Sequence, residues 1–250
     1  MNNQREILVD ICHRLYAKGL VTATDGNVSV RLANGNFLTT RTSVNKGMVT
    51  AEDLVEVNLE GIPITPNLKP STEIGMHLYI YSQRPDINAV VHAHPTYATG
   101  FATARQPLSD CLFPEVIVGF GSIPLAEYAT PSTKEVAESL ASFVTKTDAV
   151  LLANHGVVTY GADPYDAYFK MEKVEHAAHI TFVARMLGGE HQLTSENIDK
   201  LRAVSKESYG KDLNLKLACE TGSSEETHSV IAPSDEEIRE LVRQMIQAES

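Results

Sequence analysis

The chain has 250 residues, 43% of them hydrophobic and 21% charged, which is an ordinary composition for a globular protein. Its formal net charge of −11 argues against nucleic acid as a partner, because phosphate backbones attract basic surfaces. A small anionic substrate stays compatible with this charge, since such a substrate needs only a local pocket of donors.

The start of the chain is polar, and no apolar run is long enough to cross a bilayer. These features predict no signal peptide and no membrane association. The three cysteines lie far apart and form no C-x-x-C pair, so we expect neither a disulfide framework nor a cysteine zinc site. Together these observations predict a cytoplasmic protein.

Hydrophobic periodicity and turn residues divide the chain into alternating helices and strands. Helical spacing predicts helices over residues 3–18, 71–81, 95–104, 132–145 and 163–187. Short apolar or alternating runs predict strands over residues 27–32, 36–40, 54–58, 87–94, 115–118, 122–126, 148–153 and 157–160. Because several strands follow one another at hairpin-length gaps, we predict an α/β fold with a central, largely antiparallel sheet flanked by helices.

The end of the chain differs from the rest in composition. Residues 219–231 are polar and small and predict a flexible connector, and Ser234 with Glu237 forms a capping box for a last amphipathic helix to about residue 248. No linker interrupts the preceding sequence. We therefore predict one main domain over residues 1–212, followed by a connector and helix over residues 213–250.

Histidines stand at the ends of two predicted strands. Side chains alternate along a strand, so His92 and His94 point to one side, and Pro95 then ends the strand. A second apolar run carries His155 to a similar place, where Gly156 gives the backbone room to turn. Three imidazoles that meet at strand ends are typical of a catalytic zinc site. The alternative is that each is an ordinary core or surface histidine.

Glu73 lies in the first turn of the predicted helix over residues 71–81. A carboxylate there is favoured by the helix dipole, so helix capping alone explains it. Beside a three-histidine metal site, the same carboxylate could bind the metal or move a proton, and a dry pocket would raise its pKa toward neutrality. Ser71 and Thr72 offer hydroxyls and amide donors that suit a phosphate group.

Two further polar segments could bind an anion. Gly26 and Asn27 form a tight turn that presents backbone N–H groups and a side-chain amide. The second segment carries hydroxyl and cationic side chains, namely Thr40, Thr42, Ser43, Arg41 and Lys46. The alternative is a polar hairpin that binds nothing. No P-loop and no dinucleotide-binding glycine motif is present.

Five sequence elements occur in an order that resembles the class II aldolase/adducin family over residues 4–187. They are Gly26-Asn27-x-Ser29-x-Arg31, Pro70-Ser71-Thr72-Glu73, the run from Arg84 to His94, Tyr128-Ala129, and Asn154-His155-Gly156. The resemblance implies a three-layer α/β/α sandwich around a mostly antiparallel sheet. It also implies a cyclic homotetramer with each active site at a subunit interface.

The resemblance assigns roles to individual residues. It implies that His92, His94 and His155 bind one Zn²⁺ per subunit, and that Glu73 is both the fourth ligand and the acid/base. The positions that match those holding the substrate phosphate in the family are Asn27, Thr42, Ser43, Ser71 and Thr72.

The implied activity is that of a zinc-dependent aldehyde-lyase in carbohydrate metabolism. Such an aldolase cleaves a ketose 1-phosphate to dihydroxyacetone phosphate and an aldehyde. The same metal site serves sugar-phosphate dehydratases, epimerases and decarboxylases in this superfamily, so these activities are the alternatives. Adducin-type members keep the fold as a non-catalytic interaction module, but that role predicts lost metal ligands, and all four are present here.

The chain departs from the family pattern at the substrate end of the site. The family commonly has T-P-T-G or T-P-S-G where residues 40–43 read T-R-T-S, so glycine and proline are both missing. A tyrosine that related aldolases carry shortly before the equivalent of Gly119 is also absent. Tyr209 matches a catalytic C-terminal tyrosine, although the alignment that leads to it is loose. The aldehyde half of the substrate is therefore the least defined.

Overall fold

The computed structural model describes residues 2–209, without the side chains of Asn2, Phe120, Ser208 and Tyr209. Seven strands within these residues form one sheet in the order β3-β2-β1-β4-β7-β6-β5. The strands are β1 Asn27–Arg31, β2 Phe37–Thr40, β3 Leu54–Val57, β4 Ala89–Ala93, β5 Leu125–Ala126, β6 Ala149–Leu152 and β7 Gly156–Gly161. Neighbours pair antiparallel except β5 and β6, which run parallel. The predicted, mostly antiparallel sheet is confirmed.

Helices cover both faces of the sheet. They are α1 Asn2–Ala17, α2 Ile74–Gln83, α3 Thr96–Thr103, α4 Pro114–Phe120, α5 Lys134–Ser139, α6 Pro164–Met186 and α7 Ser195–Tyr209. One core layer packs α1, α3 and α6 against the face that carries Val91, and the other packs α2 and α5 against the face that carries Val90. The expected α/β/α sandwich is therefore confirmed, and its two cores follow from the alternation of side chains along each strand.

Two element predictions need correction. Residues 115–118 were expected to form a strand but lie in α4, where Pro114 occupies the first turn and both Val116 and Ile117 are buried. A short apolar run fits a buried strand and a buried helix equally well, so periodicity could not decide between them. In addition, α7 was not predicted, and α5 covers only six residues of the predicted helix over 132–145.

Three further sequence predictions concern the C-terminal residues, membrane association and the cysteines. The connector and helix over residues 213–250 lie outside the described residues, so the domain boundary at 212 stays a prediction. No helix within residues 2–209 is long and apolar enough to cross a membrane. Cys12 is buried with a free thiol, and Cys111 is also buried.

The middle of the sheet brings the histidine segments together. In the β1–β4 pair Asn27 lies opposite His92, and in the β4–β7 pair His92 lies opposite Val158. The connection from β6 to β7 turns sharply before Gly156. A Cβ at Gly156 would lie 2.5 Å from the Ala93 carbonyl oxygen and 2.6 Å from His94 Cδ2, so only glycine lets β7 start this close to β4.

A row of polar side chains lies between α2 and β1. Asn27 and Ser29 share one face of β1, while Glu73, His77 and Tyr81 follow one another at helical spacing along α2. We call these five residues the polar seam. Ser29 Oγ is 2.7 Å from His77 Nδ1 and 2.8 Å from Tyr81 Oη. Burial lowers the pKa of His77 to about 4, although the negative charge of Glu73 opposes this shift.

The close approach at Gly156 predicts a strong effect of adding one methyl group. We expect Gly156→Ala to lower the free energy of unfolding by about 1–3 kcal/mol, because the new Cβ overlaps backbone atoms that cannot move alone. Gly100→Ala is the matched control, since a Cβ in that part of α3 meets no atom within 4 Å. It should raise stability by about 0.5–1 kcal/mol. Urea unfolding in the presence of EDTA measures both, and equal stabilities would contradict the packing argument.

The buried imidazole in the polar seam predicts a pH dependence of stability. We expect the free energy of unfolding of the metal-free protein to fall as the pH drops from 6.5 toward about 4, because the unfolded chain protonates His77 before the folded chain does. Well above pH 6.5 the imidazole is neutral in both states and adds no slope. The full shift is worth as much as about 3 kcal/mol.

Urea unfolding of the wild type and of His77→Gln across this pH range measures that contribution. The variant should lose less stability on acidification than the wild type. His191→Gln serves as the control, because His191 is exposed, and it should follow the wild type. If the wild type and His77→Gln showed the same pH dependence, His77 would not be the source of the slope.

Candidate metal centre and substrate cleft

Three imidazoles converge at the end of β4 and the start of β7. His92 Nε2 and His94 Nε2 are 3.1 Å apart, and the possible ligand atoms of His92, His94 and His155 all lie within 4.8 Å of one another. His92 is fully buried, and its Nδ1 lies 2.9 Å from the Val157 carbonyl oxygen. A neutral ring that donates its Nδ1–H there turns the Nε2 lone pair toward the other two histidines.

Glu73 closes the cluster from the side of α2. Its Oε2 is 3.3 Å from His92 Nε2, and its Oε1 is 3.2 Å from His155 Nε2. No donor among the described residues makes a well-aligned hydrogen bond to Oε1, which is buried. Asn27 Nδ2 donates to Oε2 at 2.9 Å and fixes the carboxylate.

The start of α2 differs from the prediction. The helix begins at Ile74 rather than Ser71, because the Ser71 backbone N–H donates to the Thr40 carbonyl and ties this segment to β2. Ser71 Oγ accepts a hydrogen bond from the backbone N–H of Glu73. Glu73 is thus the residue that caps the helix, and its side chain turns toward the histidines instead of the helix amides.

Three distances within the cluster match the spacing of ligands around a tetrahedral metal ion, although the two that involve Glu73 use different carboxylate oxygens. Ligands about 2.05 Å from a zinc ion stand about 3.3 Å from one another in a tetrahedron. The three close pairs in the cluster, at 3.1, 3.2 and 3.3 Å, match that spacing. A buried carboxylate oxygen with no aligned donor is also the kind of atom that a cation would satisfy. Nitrogen-rich donor sets of this kind suit zinc.

The electrostatics of the cluster differ from the sequence expectation for Glu73. Burial raises the pKa of Glu73, but His92, His155 and the hydrogen bond from Asn27 together lower it below its ordinary value. The expected rise toward neutrality is therefore wrong for this arrangement, and Glu73 is a carboxylate at neutral pH. Burial lowers the pKa of His92 to about 3, which leaves its imidazole neutral and able to bind a metal.

The structure places the residues expected to bind a phosphate in different local environments. Asn27 is buried, and its amide is committed to Glu73 while its Oδ1 has no partner among the described residues. The Thr42 backbone N–H donates to the Lys69 carbonyl. Ser43 is exposed and has a φ of 56°, which explains why a glycine suits this position.

Two polar residues near the site were not predicted. Asp25 Oδ2 lies 3.6 Å from His94 Nδ1, so this carboxylate can orient the imidazole. The sequence signal for it was its place directly before Gly26 and Asn27. Ser132 Oγ donates to Thr72 Oγ1 at 2.8 Å from a loop sixty residues away, and no local pattern pointed to it.

Tyr209, the remaining predicted catalytic residue, ends α7. The structure does not describe the Tyr209 side chain, so the catalytic role of this residue stays a prediction. Arg41, which was expected to add charge to the anion site, instead pairs with Asp53 at 2.6 Å. Lys46, the other candidate for that charge, is almost completely buried.

Comparison with known proteins gives consistent relatives. The sequence profile described as "Class II Aldolase and Adducin N-terminal domain" matches residues 6–182. An L-fuculose phosphate aldolase of Methanococcus maripaludis is 34% identical over 180 residues, 72% of this chain and 96% of that protein. A 3-oxo-tetronate 4-phosphate decarboxylase of Escherichia coli K12 is 33% identical over 205 residues, 80% of this chain and 95% of that protein.

A solved structure of an L-fuculose 1-phosphate aldolase superposes with a TM-score of 0.76 at 30% identity. The match covers 84% of this chain and 98% of that one. These similarities confirm the family that the motifs suggested, including the likeness to fuculose phosphate aldolases. The chain belongs to the class II aldolase and adducin family.

Proposed function

We propose that this protein is a zinc-dependent aldolase that cleaves a ketose 1-phosphate, such as L-fuculose 1-phosphate, to dihydroxyacetone phosphate and an aldehyde. The observation that carries the proposal is the convergence of three imidazoles at the ends of β4 and β7, with Glu73 carboxylate oxygens 3.3 Å from His92 and 3.2 Å from His155. Relatives that share this fold and are named for that activity support it. A retained set of metal ligands argues against a purely structural adducin-like role.

The proposed metal ligands are His92, His94, His155 and Glu73. Each imidazole must be neutral to bind a cation, and the lowered pKa of His92 and His94 favours that state. A bound zinc ion supplies Lewis-acid stabilisation of the negative charge that develops on the substrate oxygens.

Glu73 is the proposed acid/base. Because Glu73 is a carboxylate at neutral pH, it can take up the proton that the substrate hydroxyl releases during cleavage and deliver a proton to the carbon that keeps the electrons of the broken bond. Asn27 holds one of its oxygens and keeps the carboxylate at the cleft. Tyr209 is the second proposed catalytic residue, on the strength of its match to the tyrosine of related aldolases.

The proposed phosphate-binding residues belong to segments next to β1, β2 and the start of α2. Their hydroxyls, amides and backbone N–H groups would bind the phosphate and hold the ketose with its reacting carbon near Glu73. They are Asn27, Thr42, Ser43, Ser71 and Thr72. We further propose a cytoplasmic homotetramer, which light scattering of the purified protein would test.

A decarboxylase is the second candidate, because the E. coli decarboxylase relative matches a larger share of this chain than the M. maripaludis aldolase relative does. Loss of CO₂ from a 3-oxo acid and aldol cleavage both leave electrons on a carbon next to a carbonyl. The same metal and acid/base would therefore serve both reactions. The fragment that leaves decides between them.

Product analysis separates the two candidates. We expect zinc-loaded protein to convert L-fuculose 1-phosphate or ribulose 1-phosphate to dihydroxyacetone phosphate, and to release no CO₂ from 3-oxo-tetronate 4-phosphate. EDTA treatment should abolish the activity, and Glu73→Gln should lower kcat by about a hundredfold or more. Release of CO₂ without aldol cleavage would assign the chain to the decarboxylases.

The metal ligands can be tested independently of any substrate. We expect His94→Ala to lose at least about tenfold in zinc affinity, because one of four ligands is removed. His176→Ala is the matched control, since His176 is an exposed histidine on α6 outside the cluster. Competition with a chromophoric chelator gives both affinities. An unchanged affinity of His94→Ala would exclude this residue from the ligand set.

A further inference from the structure

Lys46 is buried without a carboxylate partner. It is 1% exposed, yet its ammonium Nζ donates only to the carbonyl oxygens of Thr24, at 3.1 Å, and Val44, at 2.9 Å, among the described residues. The other buried lysine in residues 2–209 shows the usual solution. Lys170, at 8% exposure, contacts the carboxylates of Asp148 and Asp166, each at 2.9 Å.

Such burial of a charge is costly unless an opposite charge lies close. Removing an ammonium from water costs several kcal/mol, and carbonyl dipoles offset only part of it (order of magnitude from). An ammonium also has three N–H donors, and two of them are accounted for here. Burial lowers the pKa of Lys46, and the negative charge of Asp25 nearby offsets this shift only in part.

The position of Lys46 suggests where that anion belongs. Its two acceptors lie in the loop that leads to Asn27 and in the loop that follows Ser43, so the ammonium joins the two segments proposed to bind phosphate. Arg41 lies on the second segment but is neutralised by Asp53. The positive charge of Lys46 can therefore attract an anion that binds between these loops.

We propose that Lys46 is a positioning residue that selects a phosphate-bearing substrate. It ties the two loops together through their carbonyls, and its charge attracts the phosphate dianion that the loops bind. The inference rests on the proposed function for the location of the phosphate. It goes beyond that function by giving the preference for a phosphorylated over an unphosphorylated sugar to a buried cation that touches neither the metal ligands nor Glu73.

The first test measures binding of inorganic phosphate to the metal-free protein by calorimetry, so that no metal competes for the anion. We expect Lys46→Met to weaken phosphate binding by about tenfold or more, because the charge is lost while the apolar stem stays. Lys46→Arg keeps the charge and should retain most of the affinity. Lys200→Met is the matched control, since it removes one positive charge from an exposed lysine on α7.

The second test compares the zinc-loaded variants on L-fuculose 1-phosphate and on unphosphorylated L-fuculose. We expect Lys46→Met to raise KM for the phosphorylated ketose by about tenfold and to lower kcat/KM for the free sugar much less. Equal losses on both substrates would reduce Lys46 to a structural tie between the loops and overturn the proposal. Thermal unfolding checks that each variant is folded.

A measurement on the wild type keeps the proposal testable if Lys46→Met does not fold. The side-chain ¹⁵N resonance of Lys46, assigned with Lys46→Arg, should shift on titration with inorganic phosphate, and a resonance that does not move overturns the proposal. If phosphate binding depends on Lys46 but the protein catalyses no aldol cleavage, the proposed function is refuted and this inference is not. Aldol cleavage with phosphate binding unaffected by Lys46→Met would refute this inference alone.

Discussion

The register of three adjacent strands, β1, β4 and β7, is the constraint on which the site depends. It places Asn27 opposite His92 and lets the turn before Gly156 deliver His155 beside them. A slip of one residue would turn every side chain of a strand to the other face of the sheet and separate the imidazoles. The burial of both faces under helices specifies this register, because each strand contributes to two apolar cores.

Buried charged side chains in this molecule lie beside groups that offset their charge. Glu73 lies among imidazoles that lower its pKa, and Lys170 lies between two carboxylates. Lys46 is less well compensated, because its ammonium donates only to carbonyl oxygens among the described residues and Asp25 offsets only part of the effect of burial. The polar seam behind Glu73 adds a second buried network, in which Ser29 links His77 to Tyr81.

The same centre suits more than one reaction, and this is why the family alone does not name the substrate. A metal cluster with an adjacent carboxylate stabilises charge next to a carbonyl, whether an aldehyde or CO₂ leaves. In the proposed function, the chemical step depends on residues that are local to β4, β7 and the start of α2. Substrate choice depends instead on the loops, where T-R-T-S replaces the common family sequence and where Ser132 reaches Thr72.

The sequence by itself determined the sheet class and the family, and it pointed to the three histidines that the structure brings together and to Glu73 beside them. Strand alternation, a following proline and a helix start are local signals, so His92, His94, His155 and Glu73 could be read from neighbouring residues. Only the tertiary structure decided the helical state of residues 115–118 and the direction of the Glu73 pKa shift. It also decided that Lys46 donates to carbonyl oxygens and to no carboxylate among residues 2–209. Each of these depends on contacts between segments far apart in the chain, which no local pattern records.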